Sequence, residues 1–218
     1  MAELRTWWRR LSGKSRHALV GRPELWRMKR AFQIEFLRAH GLRPTQTVVD
    51  IGCGSLRGGI ALIDYLEAGR YVGIDVRAEV LAEARRELAR ERLEHKRPRL
   101  IHAQTLSSVR LDTPADVCWA FSVLFHMSDA ILEESLAWVA RQLAVDGVFY
   151  ANVIAGEGPP GTWQGFPVMA RPLETYQSLS ARHGLVMDVL GRLDTLGHHS
   201  GDPSQDGQWM LAFRPRGA

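Results

Sequence analysis

The sequence predicts a three-layer α/β/α sandwich on a mostly parallel seven-stranded sheet with an antiparallel last strand, preceded by a helical N-terminal cap over residues 1–45. From Thr47 onward, short aliphatic runs alternate with amphipathic helical stretches, a pattern that calls for parallel strands with helices on both faces. After residue 154 the alternation changes to one helix followed by two strands, 185–193 and 208–214, joined by a long polar loop. The 218 residues are 45% apolar and 24% charged, which suits one globular unit with a full core.

Taken in order, Met28, Ala31, Phe32, Glu35, Phe36 and Ala39 recur at three- and four-residue spacing, so a helix is expected up to Gly41 and Pro44. Residues 47–51 (TVVDI) read as a buried strand, 56–67 as a helix closed by Gly69, and 70–75 (RYVGID) as a second strand. Residues 78–92 form a helix with Val80, Leu81, Ala84 and Leu88 inward. Strands are expected at 99–103 and 116–121, and a helix at 129–143. Asp146-Gly147 reads as a turn into a fifth strand, 148–154, and a Gly/Pro-rich loop (156–165) leads to a helix at 173–183.

Charge is uneven. Residues 1–45 hold eleven Lys/Arg against three acids, +8, and the remainder nets −4. Such an arm can steer nucleic acid, a phospholipid surface or an anionic small molecule. Arg outnumbers Lys 25 to 3 along the whole chain, which reflects general composition and leaves nucleic acid a disfavoured partner. Two cysteines give neither a disulfide framework nor a CxxC metal pair, and no metal is expected. Neither an apolar run of ~20 residues nor a signal-peptide core is present, so a cytoplasmic protein is expected. Trp7, Trp8 and Leu11 are expected to pack over the cap in preference to lying on a membrane.

The chemistry concentrates in Val48-Val49-Asp50-Ile51-Gly52-Cys53-Gly54, which leaves a strand and enters a helix. A ligand at the carboxyl end of such a strand approaches the backbone closely, so Gly52 and Gly54 supply room, and Gly58 is expected to let the helix pack near the strand. Asp50 decides between ligands. A carboxylate there repels a pyrophosphate, which binds at the helix N-terminus, but tolerates a ligand with an ammonium and a sulfonium. Asp75 ends the second strand, where a carboxylate can accept hydrogen bonds from both hydroxyls of a ribose.

DIGCGSLRGG (50–59), YVGIDV (71–76) and AFSVLFHMSD (120–129) together resemble class I S-adenosylmethionine-dependent methyltransferases. The resemblance implies that Asp50, Gly52, Cys53 and Gly54 surround the methionine part of S-adenosylmethionine and that Asp75 binds its ribose. It implies that Val76 packs on adenine, that Gln104 is the nearest candidate for the adenine amino group, and that Phe121 opens the segment beside the reacting methyl. Residues 1–45 match the variable helical cap that such enzymes place over substrate.

The segment after strand four lacks the Asn/Asp-Pro-Pro-aromatic turn of base and amide methylation. Cys118 falls mid-strand, so it is expected to be inert and not a pyrimidine nucleophile. His126 is the candidate general base, since imidazole titrates near neutrality. His198, His199 and Asp202 describe a solvated loop that can reach the acceptor, and adjacent histidines rarely converge on one metal. Trp163 and Phe166 are expected either as a water-excluding lid or as a hydrophobic plug. A small-molecule acceptor methylated on O or N is the leading reading. An RNA methyltransferase using the basic arm, and a catalytically silent cofactor-binding partner protein, stay as alternatives.

Overall fold

The computed structural model describes residues 17–217. The first sixteen residues, with Trp7, Trp8, Leu11 and much of the basic arm, lie outside the described residues. Strands β1 (Val48–Ile51), β2 (Tyr71–Asp75), β3 (Arg99–His102), β4 (Ala115–Ala120) and β5 (Leu143–Val153) are parallel, while β9 (Trp209–Pro215) runs antiparallel between β5 and β8 (Leu185–Arg192). The sheet order is β3-β2-β1-β4-β5-β9-β8. The order reverses at β1, so the crevice beyond its carboxyl end and that of β4 is where such a sheet takes a ligand.

Alternation along the strands divides the core into two layers. Val48, Tyr71, Val117 and Trp119 face α1 (Trp26–Ala39), α2 (Gly59–Tyr65) and α3 (Ala78–Arg90). Val49, Val72, Cys118 and Phe149 face α4 (Asp129–Gln142) and α5 (Leu173–Arg182). Each fully buried aliphatic or Phe side chain contributes roughly 1.5–3 kcal/mol by leaving water. Ser128 caps α4, its side chain accepting from the Ile131 N–H. Val80, Leu81, Ala84 and Leu88 of α3 are all buried, as their spacing requires.

Several boundaries and phases differ from those expected. The inward face of α1 is Trp26, Lys29, Phe32, Gln33, Phe36 and Leu37, while Ala31, Glu35 and Ala39 are exposed. Gln33 turns inward because its Oε1 accepts from the Trp119 indole at 2.9 Å. Helix α2 starts at Gly59, not Leu56, because Gly52, Gly54 and Leu56 all take positive φ and extend the loop. The glycine that admits close helix–strand packing is therefore Gly59, where a Cβ would lie 2.4 Å from the Tyr71 hydroxyl; Gly58 instead faces Gln33. Strand β5 begins at Leu143 directly after α4, and Asp146-Gly147 is an irregularity inside the strand, where its register on β4 shifts.

The Gly/Pro-rich stretch contains a small hairpin, β6 (Gly161–Trp163) with β7 (Phe166–Val168). The polar loop before β9 holds a short helix, α6 (Pro203–Asp206), capped by Asp202. No helix of the described residues is long and apolar enough to cross a membrane.

Candidate functional site

A cavity of about 820 Å³ opens at the carboxyl ends of β1, β2 and β4. All nine sequence-predicted site residues line it: Asp50, Gly52, Cys53, Gly54, Asp75, Val76, Gln104, Phe121 and His126. Gly52 has φ +70°, and a Cβ there would lie 2.5 Å from a Val123 methyl, so the loop tolerates no side chain at that point.

Asp75 is buried and held from two sides. One carboxylate oxygen accepts the Gly54 N–H at 2.9 Å and the other accepts the Arg77 N–H at 2.9 Å. A carboxylate has about four acceptor positions, so two fixed backbone bonds leave capacity for a diol. Asp50 is 4% exposed and accepts one hydrogen bond, from the Tyr71 hydroxyl at 2.6 Å. Burial pushes its carboxyl up to about 7, against the opposing Tyr71 hydrogen bond. A carboxyl in that state stands ready to ionise when a cation arrives. Cys53 fills the space over Gly73 of β2, and burial pushes its thiol up, as it does for Cys118 in mid-strand; both are inert.

Val76 is 39% exposed at the rim, and the Gln104 amide donates to the Val76 carbonyl at 3.2 Å. Phe121 lies in an aromatic stack, parallel to Trp119 at 5.7 Å and against Phe32 at 5.6 Å. His126 is half-buried, with Nδ1 2.7 Å from the Pro167 carbonyl. A carbonyl only accepts, so Nδ1 carries the hydrogen and Nε2 of the neutral ring keeps its lone pair. Burial lowers its pKa, the Pro167 bond opposes this, and Arg77 lowers it further.

The hairpin positions the mouth. Trp163 stacks on His126 at 5.3 Å, and Arg77 donates to both Gln164 Oε1 (3.0 Å) and the Leu19 carbonyl (3.2 Å). One guanidinium thus ties the end of β2 to the hairpin and to the N-terminal segment. Trp163 and Phe166 both line the cavity, as do Val20, Gly21 and Arg22.

The sequence reading missed Lys29, Gln33 and Gln208, which line the cavity and are buried, as is Arg57 beside Asp50. Ser122 was missed too; it sits at φ +62° directly after β4, its N–H donating to Asn152 Oδ1 at 2.6 Å. No sequence signal marks that strained residue. His198 and His199 diverge, since His198 is fully buried against Phe32 while His199 is exposed. The loop is therefore not solvated throughout. His198 and Asp202 do not line the cavity, whereas the neighbouring Ser204, Gln205 and Gln208 do.

Residues 48–147 match the family model described as a methyltransferase domain. The matched stretch is a methyltransferase domain, and the sheet around it has the fold of solved S-adenosylmethionine-dependent methyltransferases. The fold is shared over nearly the whole chain with solved members. An S-adenosylmethionine-dependent methyltransferase from Clostridium acetobutylicum has a TM-score of 0.66 at 13% identity, over 99% of both chains. Magnesium protoporphyrin IX methyltransferase from Synechocystis with bound S-adenosylmethionine gives 0.67 at 14%, over 98% of this chain and 96% of that one. DhpI in complex with S-adenosylhomocysteine gives 0.65 at 18%, over 98% and 95%. A sequence search among curated proteins finds no match. The cofactor bound in the Synechocystis structure is S-adenosylmethionine. The residues present fit it: a buried two-oxygen acceptor at Asp75, a poised carboxyl at Asp50, and between them a loop that leaves no room for a side chain at Gly52.

Proposed function

We propose that this methyltransferase acts on oxygen or nitrogen of a small-molecule acceptor, of secondary-metabolite or glycan type, inside the cavity that holds the cofactor. The observation that carries this is the size of the site. Its volume, about 820 Å³, falls within the ~300–1,000 Å³ of small-molecule pockets. The hairpin and residues 19–22 border it, joined through Arg77.

S-adenosylmethionine supplies a methyl group activated on a sulfonium. Asp75 would hold the ribose hydroxyls, Asp50 the ammonium, and Gly52, Cys53 and Gly54 the backbone cradle. Val76 would pack on adenine with Gln104 at its edge, and Phe121 would border the methionine part. His126 would accept the acceptor's proton at Nε2 while Nδ1–H stays on Pro167, which fixes the ring. Trp163 and Phe166 would exclude water and hold the acceptor in line, where most of the rate advantage of such a displacement arises. The described part of the N-terminal segment would face the acceptor.

The test is transfer of a labelled methyl group to phenol, amine and sugar panels, and in parallel to RNA at low and high salt. Label in the small molecules supports the reading. Label in RNA alone, falling steeply with salt, would replace it with a polyanion methyltransferase.

A further inference from the structure

The cavity wall around His126 is built from rings. Its imidazole lies 4.5 Å from Phe125, 5.3 Å from Trp163 and 6.3 Å from Phe166, centroid to centroid. Val168, next to Pro167, extends this wall, and all of these side chains line the cavity. Val123 joins the wall to the cofactor loop: its carbonyl accepts the His126 N–H, and its methyl faces Gly52. Nε2 of His126 therefore stands between the rings and the loop expected to hold the methionine part.

Three features of this wall restrict what can be methylated beside it. Besides the imidazole, its one polar side chain is Arg77, whose guanidinium lies 5.9 Å from the Trp163 ring and 5.7 Å from the Phe166 ring. A polyhydroxylated acceptor would bury hydroxyls here without partners, which is unfavourable. Among the described residues, Arg77 is the one charge that acts on His126, and the acid beside it, Asp75 at 3.8 Å, already accepts two backbone bonds. An ammonium acceptor would thus meet a cation with no carboxylate to receive it. Burial holds the imidazole below its ordinary 6.5, so it is a weak base. Such a base takes a proton far more readily from a phenol, at about 10, than from an alkyl hydroxyl close to water's value of about 15.7.

We infer that the methyl acceptor is an uncharged phenol, its ring against Trp163 and Phe166 and its hydroxyl toward Nε2 of His126. The inference rests on the methyltransferase reading and narrows its acceptor class. The phenol proton passes to Nε2, and the oxygen bonds to the methyl carbon as the carbon–sulfur bond breaks, its electron pair staying on sulfur. The products are an aryl methyl ether, S-adenosylhomocysteine and a proton that the imidazole returns to water. The cofactor's adenine is also a planar ring. Its expected neighbours, Val76 and Gln104, follow β2 and β3, whereas β4, which leads to His126, stands two strands from β2, about 10 Å away. That separation favours the acceptor as the ring beside His126.

The test compares 2-naphthol with its saturated counterpart, decahydro-2-naphthol, and with 2-naphthylmethylamine, using full-length protein and labelled S-adenosylmethionine. The wild type should methylate 2-naphthol with kcat/KM at least tenfold above either of the others. Trp163→Leu should raise KM for 2-naphthol at least tenfold while S-adenosylhomocysteine affinity stays within twofold, and Trp163→Phe should restore most of the loss. Transfer to the saturated alcohol or the amine as efficient as to 2-naphthol overturns the inference, as does an unchanged KM in Trp163→Leu. No transfer to 2-naphthol by protein that binds S-adenosylhomocysteine overturns it without recourse to any variant. If Trp163→Leu weakens S-adenosylhomocysteine tenfold, the rings serve adenine and the acceptor assignment fails. Failure of the methyltransferase reading is separate: the wild type would then bind no S-adenosylhomocysteine.

Discussion

Replacing Asp50 by Asn isolates the tension at the heart of the site. Asp50 is buried, and its carboxyl lies at about 7 against 3.8 when unperturbed. Between those values the folded protein keeps a proton that the unfolded chain has released, so this group's contribution to stability falls as pH rises from about 4 to about 7. The full difference of ~3 units corresponds to about 4 kcal/mol, of which about 2.5 kcal/mol develops between roughly pH 5 and 8. Asn keeps the Tyr71 hydrogen bond through its amide carbonyl and cannot ionise. Urea unfolding of both proteins at the two pH values, without ligand, should show the stability advantage of Asp50→Asn growing by about 2.5 kcal/mol toward the alkaline value. Lys29 and the two lowered histidines, His126 and His198, titrate in both proteins and largely cancel in the difference. Saturating S-adenosylhomocysteine should narrow the gap, because its ammonium offsets the buried carboxylate. A gap constant within about 0.5 kcal/mol would show that Asp50 is well solvated and would refute the reasoning.

His126→Ala should cut turnover at least tenfold, a lower bound set beneath the ~100-fold or larger effects typical of general bases, with S-adenosylhomocysteine affinity unchanged. The wild-type rate should rise with pH around a midpoint below 6.5, and this limb should vanish in the variant. Gly59→Ala places a methyl 2.4 Å from the Tyr71 hydroxyl and 2.6 Å from Leu56. It should cost about 2 kcal/mol, read as a fall in melting temperature of roughly 4–8 °C, with the cofactor loop composition intact. Arg77→Met removes the bonds to Gln164 and Leu19, so amide hydrogen exchange across residues 161–168 should accelerate at least tenfold.

The sheet was legible because its inner strands β1, β2 and β4 are buried on both faces and read as aliphatic runs broken by helical periodicity. The cofactor loop was legible because Asp50, Gly52, Gly54 and Asp75 are set by backbone geometry close to their own positions in the chain. Lys29 and Gln33 were missed for the opposite reason. A polar residue on an amphipathic helix reads as solvated, and only Trp119, 86 positions away from Gln33, shows which face turns inward. Gly58 was chosen over Gly59 because Leu56 at positive φ delays the helix, a conformation no aliphatic residue advertises. His198 was read as solvated amid Gly, Ser and Asp, yet Phe32 of α1 and Asp206 of α6 bury it.

The most direct test of the central claim is calorimetric titration of the wild type and of Asp75→Ala with S-adenosylhomocysteine. Two hydroxyl bonds to a carboxylate, at about 1.5 kcal/mol each, predict that micromolar binding by the wild type weakens at least ~100-fold in the variant. Equal affinity in the two proteins, or no binding by the wild type, would contradict the assignment of this cavity to the cofactor.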